Sequence, residues 1–157
     1  MALESKEQKN DAQDAEPEVS LGINSQYIKD LSLEIPHAPQ IFKKMTTQPS
    51  LKVDVDITRE NFEADNYAVN VTFHIEADIE NEKLFILELT YGAYVTVKVP
   101  EGHVVAPILF IEVPRLIFPF ARNVIAQCLM EGGLPPIMMN PIDFGALYMS
   151  HHNQGRQ

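Results

Sequence analysis

Four carboxylates stand in the middle of the chain, and paired carboxylates are the groups that general acid–base catalysis uses. They are Asp54, Asp56, Glu76 and Glu88. Two of them would serve as an acid and a base only if burial separated their pKa values. Each instead alternates with apolar neighbours, which is typical of the solvent-facing side of a β-sheet. The pattern favours a solvated acidic surface that could dock a basic partner.

The remaining chemically active residues form no recognisable site. The sequence has no nucleophile-elbow motif, no phosphate-binding glycine loop and no zinc-ligand spacing. His37, His74 and His103 are isolated, and the adjacent pair at 151–152 is typical of an exposed tail. Cys128 falls on the apolar half of a predicted helix, which favours core packing over a nucleophile. We therefore expect no enzyme, no metal site and no cofactor.

Composition narrows the class of partner. The 157 residues include 22 acidic and 12 basic side chains, which gives a formal net charge of −10. Nucleic acid and anionic membrane surfaces both attract basic proteins, so neither is expected as a partner. An acidic field of this size would instead attract a basic protein.

The single cysteine and the N-terminal residues predict a cytoplasmic protein. A lone thiol cannot form an internal disulfide, which indicates a reducing compartment. Residues 1–20 contain no apolar run of the kind that a signal peptide needs, and no stretch approaches the length of a membrane span.

The chain divides into one domain and two tails. Residues 1–20 hold six acids and two lysines with few large apolar side chains, which predicts a disordered acidic tail. Residues 21–150 have the length and patterning of one domain. Residues 151–157 are predicted to form a short flexible tail.

Four alternating segments predict an antiparallel sheet. They cover residues 27–35, 51–58, 67–77 and 84–99, and a loop over 36–50 follows the first. One face of the sheet should be packed and the other wet and acidic, because ten acids but only two bases lie between Asp54 and Glu88.

A helical period replaces the alternation after about residue 113. Pro114 or Pro119 suits the first turn, and the glycines at 132–133 supply a stop. One half of the helical wheel is wholly apolar, and the other mixes polar with apolar side chains, among them Phe120, Arg122, Asn123 and Gln127. This mixture predicts a second burial, by another subunit rather than inside one large domain. The fold class is therefore α+β, with oligomeric assembly.

A short final helix is predicted from Asn140, with Pro141 in its first position and an apolar stripe of Phe144, Leu147 and Tyr148. The stripe, and the apolar residues of the loop over 36–50, would ordinarily pack into the core. The alternative is a groove for apolar segments of other chains, which the methionines of 134–139 favour slightly. The residues alone support an α+β oligomer with an acidic face and leave its function open.

Several motifs resemble the SecB family. Tyr27-Ile28-Lys29-Asp30-Leu31-Ser32-Leu33-Glu34-Ile35-Pro36 is similar to the family's opening signature, and residues 115–125 resemble its main helix. Residues 132–136 and 140–148 resemble its closing segments, so the likeness spans roughly residues 22–150 in the family's order.

The resemblance implies a bacterial chaperone that binds unfolded precursor proteins and delivers them to the SecA motor. It implies a four-stranded sheet with a long and a short helix on one face, assembled as a dimer of dimers. The motor's basic, zinc-binding tail would dock on the positions that match Asp30, Glu34, Ile86 and Glu88.

The same resemblance assigns two further sets of residues. Subunit contacts and client binding are expected to depend on alternate positions of the last strand, which are Leu87, Leu89 and Tyr91. The client groove would run between the loop after the first strand and the last helix. Its expected lining is Ile41, Phe42, Met45, Phe144, Leu147 and Tyr148.

Two other functions remain open at this point. An acidic oligomeric adaptor would dock a folded basic partner without holding unfolded clients. A small-molecule enzyme or carrier of α+β type would lose its activity on replacement of a single polar residue.

Overall fold

Four long strands form one antiparallel sheet in the order β1-β4-β3-β2. The computed structural model describes residues 18–154, so most of the tail predicted over 1–20 lies outside the described residues. The strands are β1 (Ser20–Glu34), β2 (Ser50–Asn61), β3 (Asn66–Ile79) and β4 (Glu82–Lys98). The predicted four-stranded antiparallel sheet is confirmed.

The β3–β4 hairpin fixes the register of the two central strands. Ile79 pairs with Glu82, which leaves a loop of only Glu80 and Asn81. Their φ angles of 49° and 62° belong to the left-handed region, as a type I′ turn requires. Such a turn matches the twist of the strands. One irregularity follows it between Ala77 and Asp78, and from the Ala77–Phe85 pair to the Asn66–Thr96 pair the alternating faces of β3 and β4 coincide.

One face of the central strands forms the core. The odd-numbered side chains of β3 and β4 are buried against the long helix, and Phe73, Leu87 and Leu89 have no exposed surface. The even-numbered side chains face away from the helix and are mostly polar. Alternation of burial with period two is what the sequence pattern predicted.

The long helix α1 (Val113–Glu131) continues from a π-helical turn, Ile108–Glu112, and carries Pro114 in its first turn. It ends in a Schellman motif. Gly133, at φ 83°, donates its N–H to the Met130 carbonyl at 3.0 Å, and Leu134 donates to Leu129 at 2.9 Å. The glycine stop predicted from the sequence is in place.

The short helix α2 (Phe144–Gln154) differs from the prediction at both ends. It begins at Phe144 rather than Asn140, because the Asp143 carboxylate accepts the Ala146 N–H at 2.9 Å and acts as the cap. It also extends through His151 and His152, which were predicted to lie in a flexible tail, while residues 155–157 lie outside the described residues.

The first strand begins at Ser20, well before the predicted start at Tyr27. Leu21 and Ile23 pair with Val97 and Val95 of β4 and extend the sheet. Irregularities in the register after Ile23 and after Ile28 interrupt the alternation, which is why the sequence pattern hides this half of the strand.

No helix within residues 18–154 combines the length and the apolar character needed to span a bilayer.

Replacement of Phe73 by alanine should lower the free energy of unfolding by about 3–5 kcal/mol, because it empties a fully buried ring site beside Phe118. Phe62→Ala is the matched control. Phe62 is 57% exposed and contacts Tyr94 edge-to-face, so its loss should cost no more than about 1.5 kcal/mol. Urea unfolding at one fixed protein concentration measures both, and equal losses would contradict the assigned core.

Candidate functional site

An acidic patch forms where β1 pairs with the first half of β4. Glu34 lies opposite Ile86, Ser32 opposite Glu88, and Asp30 opposite Thr90. Cross-strand partners project to the same face of a sheet, so the register gathers the four predicted docking positions on one face. We call Asp30, Glu34, Ile86 and Glu88 the acidic patch. Its three carboxylate residues are exposed and Ile86 is half-buried.

A hydrogen-bonded network on β3 adjoins this patch. His74 contacts Glu88 through Nδ1 and Glu76 through Nε2, each at 2.7 Å. Lys83 at the start of β4 donates to Glu76 at 2.6 Å and lies 3.0 Å from the Asp78 carboxylate. Antiparallel pairing of His74 with Glu88 and of Glu76 with Ile86 brings these side chains together.

Hydrogen bonding within the network shifts the pKa values of Glu76, His74 and Lys83. Hydrogen bonds from His74 and Lys83 lower the pKa of Glu76 to about 2. The carboxylates of Glu76 and Glu88 accept from His74 and raise its pKa, and those of Glu76 and Asp78 accept from Lys83 and raise its pKa. A carboxyl group with so low a pKa carries no proton to donate near neutral pH, so the arrangement suits recognition of charge rather than acid catalysis.

A second, apolar surface lies on the opposite face of the sheet, along the edge strand β2. Three cavities of about 310, 450 and 260 Å³ adjoin there. Leu147 lines the first two, and Leu51 and Ile137 line the last two. We call this row of cavities the apolar channel. Its other lining residues include Met45, Val53, Val55, Phe110, Met138, Met139 and Tyr148.

Only part of the predicted client lining reaches the channel. Met45, Leu147 and Tyr148 line it, and Phe42 is 36% exposed but lies outside the three cavities. Ile41 and Phe144 are 1% and 2% exposed, so they are core residues and do not line the channel. The spacing of the predicted lining residues in the sequence does not distinguish the buried ones from those on the channel, because a core and an apolar groove use the same residue types.

The residues of β2 are the main part of the channel that the sequence analysis did not assign to it. Leu51 and Val53 are 45% and 41% exposed although they point to the helix side of the sheet. The sequence did contain a signal for this exposed surface. The strand β2 has an apolar face, and the sequence offers no helix to cover it. Edge strands with such faces are uncommon and are usually blunted or covered.

Stacked rings hold one wall of the channel in place. Phe110 stacks on Tyr148 at 5.8 Å between ring centroids, and Tyr148 stacks on His152 at 5.8 Å. The Arg59 guanidinium of β2 lies 6.0 Å from the Phe110 ring centre. These contacts tie α2 to the π-helical turn and to β2.

The outer face of α1 presents a third surface. Phe120, Leu116 and Met130 are 54%, 49% and 51% exposed, and Asn123 and Gln127 lie exposed among them. Arg122 is half-buried and donates to the Met139 carbonyl at 3.4 Å. This helix therefore has the second apolar side that its sequence indicated.

The last-strand residues expected to shape subunit contacts are buried in the core of the chain itself. Leu87 and Leu89 have no exposed surface, and Tyr91 is 8% exposed. They face α1 of the same chain, so any influence on another subunit would pass through that helix. Their alternation marks a packed face and does not tell which chain supplies the packing.

Within residues 18–154, no group of three or more histidine, cysteine, aspartate or glutamate side chains is arranged to hold a metal ion. Cys128 is half-buried and burial raises its pKa, which suppresses the reactive thiolate.

Comparisons with known proteins identify the family of the chain. The family model described as "Preprotein translocase subunit SecB" matches residues 12–155. The Protein-export protein SecB of Rhodospirillum rubrum is 47% identical over 126 residues, which cover 80% of this chain and 78% of that protein. The Protein-export protein SecB of Gluconacetobacter diazotrophicus is 40% identical over 151 residues, covering 90% and 88%.

A solved structure shares the fold. It is described as the Mycobacterium tuberculosis Rv1957 SecB-like chaperone in complex with a ChAD peptide from the Rv1956 HigA1 antitoxin. Its TM-score is 0.62 at 10% identity, over 78% of this chain and 87% of that one. From the family model and these relatives, the chain belongs to the SecB family of protein-export chaperones.

Proposed function

We propose that this chain is a cytoplasmic, non-enzymatic holdase. It binds apolar segments of unfolded precursor proteins in the apolar channel and delivers them to the SecA motor through the acidic patch. The observation that carries the proposal is the separation of the two surfaces. The odd-numbered side chains of β2 line the channel, whereas the patch uses the even-numbered face of β4 and the opposite edge of the sheet.

The channel has the chemistry for an extended apolar client. Its three adjoining cavities each have room for only a few side chains, and an extended chain presents side chains at intervals of about 6–7 Å on one face. Folded proteins hide such segments, so the channel would select unfolded ones. Methionines 138 and 139 on one wall provide a lining that adapts to varied sequences. The peptide complex of the distant Mycobacterium tuberculosis chaperone supports this use of the fold.

The acidic patch has the charge for a basic partner. Asp30, Glu34 and Glu88 are exposed and lie within two neighbouring strands, and the half-buried Ile86 offers an apolar contact among them. Such a combination would dock the basic, zinc-binding tail of SecA, with the zinc ion supplied by that partner.

We also propose a dimer of dimers in which the α1 helices lie between the sheets of different subunits. Exposed Phe120, Leu116 and Met130 on α1 support this arrangement, because an apolar helix face of this kind is normally covered. Four channels in one assembly would bind several segments of one client, and weak single contacts would add through a high effective concentration. Binding of this kind requires no cofactor, nucleotide or catalytic step.

Glu88→Lys should weaken binding to purified SecA roughly tenfold and leave client binding unchanged, because it reverses one charge in the acidic patch. Glu101→Lys changes the net charge equally but lies in the exposed turn beyond the far end of β4. It should have little effect. Calorimetric titration with SecA, and with an unfolded reduced precursor, gives the two affinities. Equal weakening by both variants would indicate attraction to overall charge and contradict docking at the patch.

Val53→Asp should impair client holding, because it places a charge in the middle cavity of the channel. Thr58→Asp puts the same charge on the other face of β2, where the residue is exposed, and serves as the control. Light scattering of a chemically denatured client, diluted with and without the chaperone, measures the protection. We expect several-fold more aggregation with Val53→Asp alone. Full protection by Val53→Asp would contradict client binding in the channel, whereas no protection by the unaltered protein, with SecA binding intact, would favour the adaptor without client binding.

Phe120→Asp should reduce the mass of the assembly, because a carboxylate in an apolar helix interface loses its water without gaining a partner. Native mass spectrometry of the unaltered protein should give four times the 17.7 kDa chain mass, and the variant should give smaller species. Met149→Asp is the control, since Met149 on α2 is 57% exposed, close to the 54% of Phe120. A monomer in the unaltered protein would contradict the proposed assembly.

A further inference from the structure

His74 is the one histidine that the fold places against the acidic patch. In the sequence it stands isolated, but pairing of β3 with β4 sets it directly opposite Glu88. Its two ring nitrogens each lie 2.7 Å from a carboxylate oxygen, one of Glu88 and one of Glu76. The His74 side chain is 32% exposed and that of Glu88 52%, so a partner that reaches Glu88 also comes close to the imidazole.

The charged groups around His74 are predominantly acidic. Glu88 faces it from β4, Glu76 from its own strand, and Asp54 lies opposite it on β2. Both lysines in this neighbourhood are themselves paired with carboxylates. Lys83 binds Glu76 and Asp78, and Lys52, opposite Glu76 on β2, lies 3.6 Å from Asp54. Asp30 and Glu34 of β1 lie on the same face beyond β4.

We infer that His74 is a proton-linked positioning residue of the acidic patch: its protonated ring holds the Glu88 carboxylate, and a cationic partner that takes over Glu88 expels the proton. The inference rests on the proposed docking of SecA at this patch. It assigns to His74 a regulation of that docking by pH.

The two hydrogen bonds of the ring explain the linkage. A protonated imidazole has two N–H groups and donates to Glu76 and Glu88 together, whereas a neutral ring has one and can donate to only one of them. Glu76 keeps Lys83 as a donor in either state. Loss of the His74 proton therefore removes a positive charge beside Glu88 and weakens the hold of the ring on the Glu88 carboxylate.

The sign of the pH effect follows from this competition. In the protein without its partner, the contacts with Glu76 and Glu88 raise the pKa of His74 above the ordinary histidine value of 6.5. A cationic partner lowers that pKa again by repulsion, so binding releases a proton. By linkage, affinity for the partner increases as pH rises through the interval between the bound and free pKa values.

The test compares His74→Gln with the unaltered protein. Glutamine keeps a hydrogen-bond donor but cannot become charged. The probe is a synthetic, zinc-loaded peptide of the C-terminal tail of the cognate SecA, titrated by calorimetry at several pH values between 6 and 8 and at one ionic strength. Protonation of the peptide's own zinc ligands affects both proteins alike and cancels in the comparison. His103→Gln, in an exposed turn, is the matched histidine control.

Between pH 6 and 8, the affinity of the unaltered protein should change about two- to fivefold more than that of His74→Gln. This is the scale of the energy of exposed charge pairs. The affinity of the unaltered protein should rise more steeply, and His103→Gln should follow it. NMR titration of the His74 ring should give a midpoint above 6.5 in the free protein, moving lower when the peptide is added.

Two results would overturn the role of His74 alone. They are peptide binding with the same pH dependence in all three proteins, and a free-protein midpoint at or below 6.5. Failure of all three proteins to bind the peptide at any pH would instead overturn the proposed docking, and this inference with it. The two failures are therefore distinguishable.

Discussion

The period of two along the central strands β3 and β4 is the constraint on which the other features depend. Side chains of β3 and β4 alternate between a core under α1 and a polar outer face, so each strand serves two purposes at once. A shift of the register by one residue would exchange the faces, moving Glu88 into the core and Leu87 into water. Regular pairing of β3 with β4 from Ala77 and Phe85 onward, beyond the irregularity that follows the turn, holds the register where the acidic patch and the His74 network form.

The apolar channel follows from the width of a helix. An α-helix about 10–12 Å across covers little more than two strands spaced about 4.8 Å apart. In this chain α1 lies over the central part of the sheet and leaves the apolar side chains of β2 only partly covered, with Leu51 and Val53 still exposed. The segment over residues 135–142 and the helix α2 border this gap without closing it.

The sequence predicted well those features that depend on local pattern. Alternation predicted the sheet and its acidic face, and the glycines at 132–133 marked the end of α1. It failed where the outcome depends on distant partners. Nothing local distinguishes Ile41 and Phe144 in the core from Met45 and Leu147 on the channel, because tertiary packing decides which apolar side chains are covered. The cap at Asp143 and the contact of His74 with Glu88 likewise depend on the folded geometry.

The placement of the two surfaces bears on how a client could be passed on. Val53 and Glu88 lie on opposite faces and on different strands, with fully buried residues such as Phe73 and Ile75 between them. Interactions at sites without shared contacts are usually additive, so a client in the channel should leave the charge of the patch unchanged. Under the proposed assignment of the two surfaces, release of a client after docking would need a movement of packed elements rather than electrostatics alone. The edge β2 is the natural element to move, because it pairs with only one neighbouring strand and α1 covers it least.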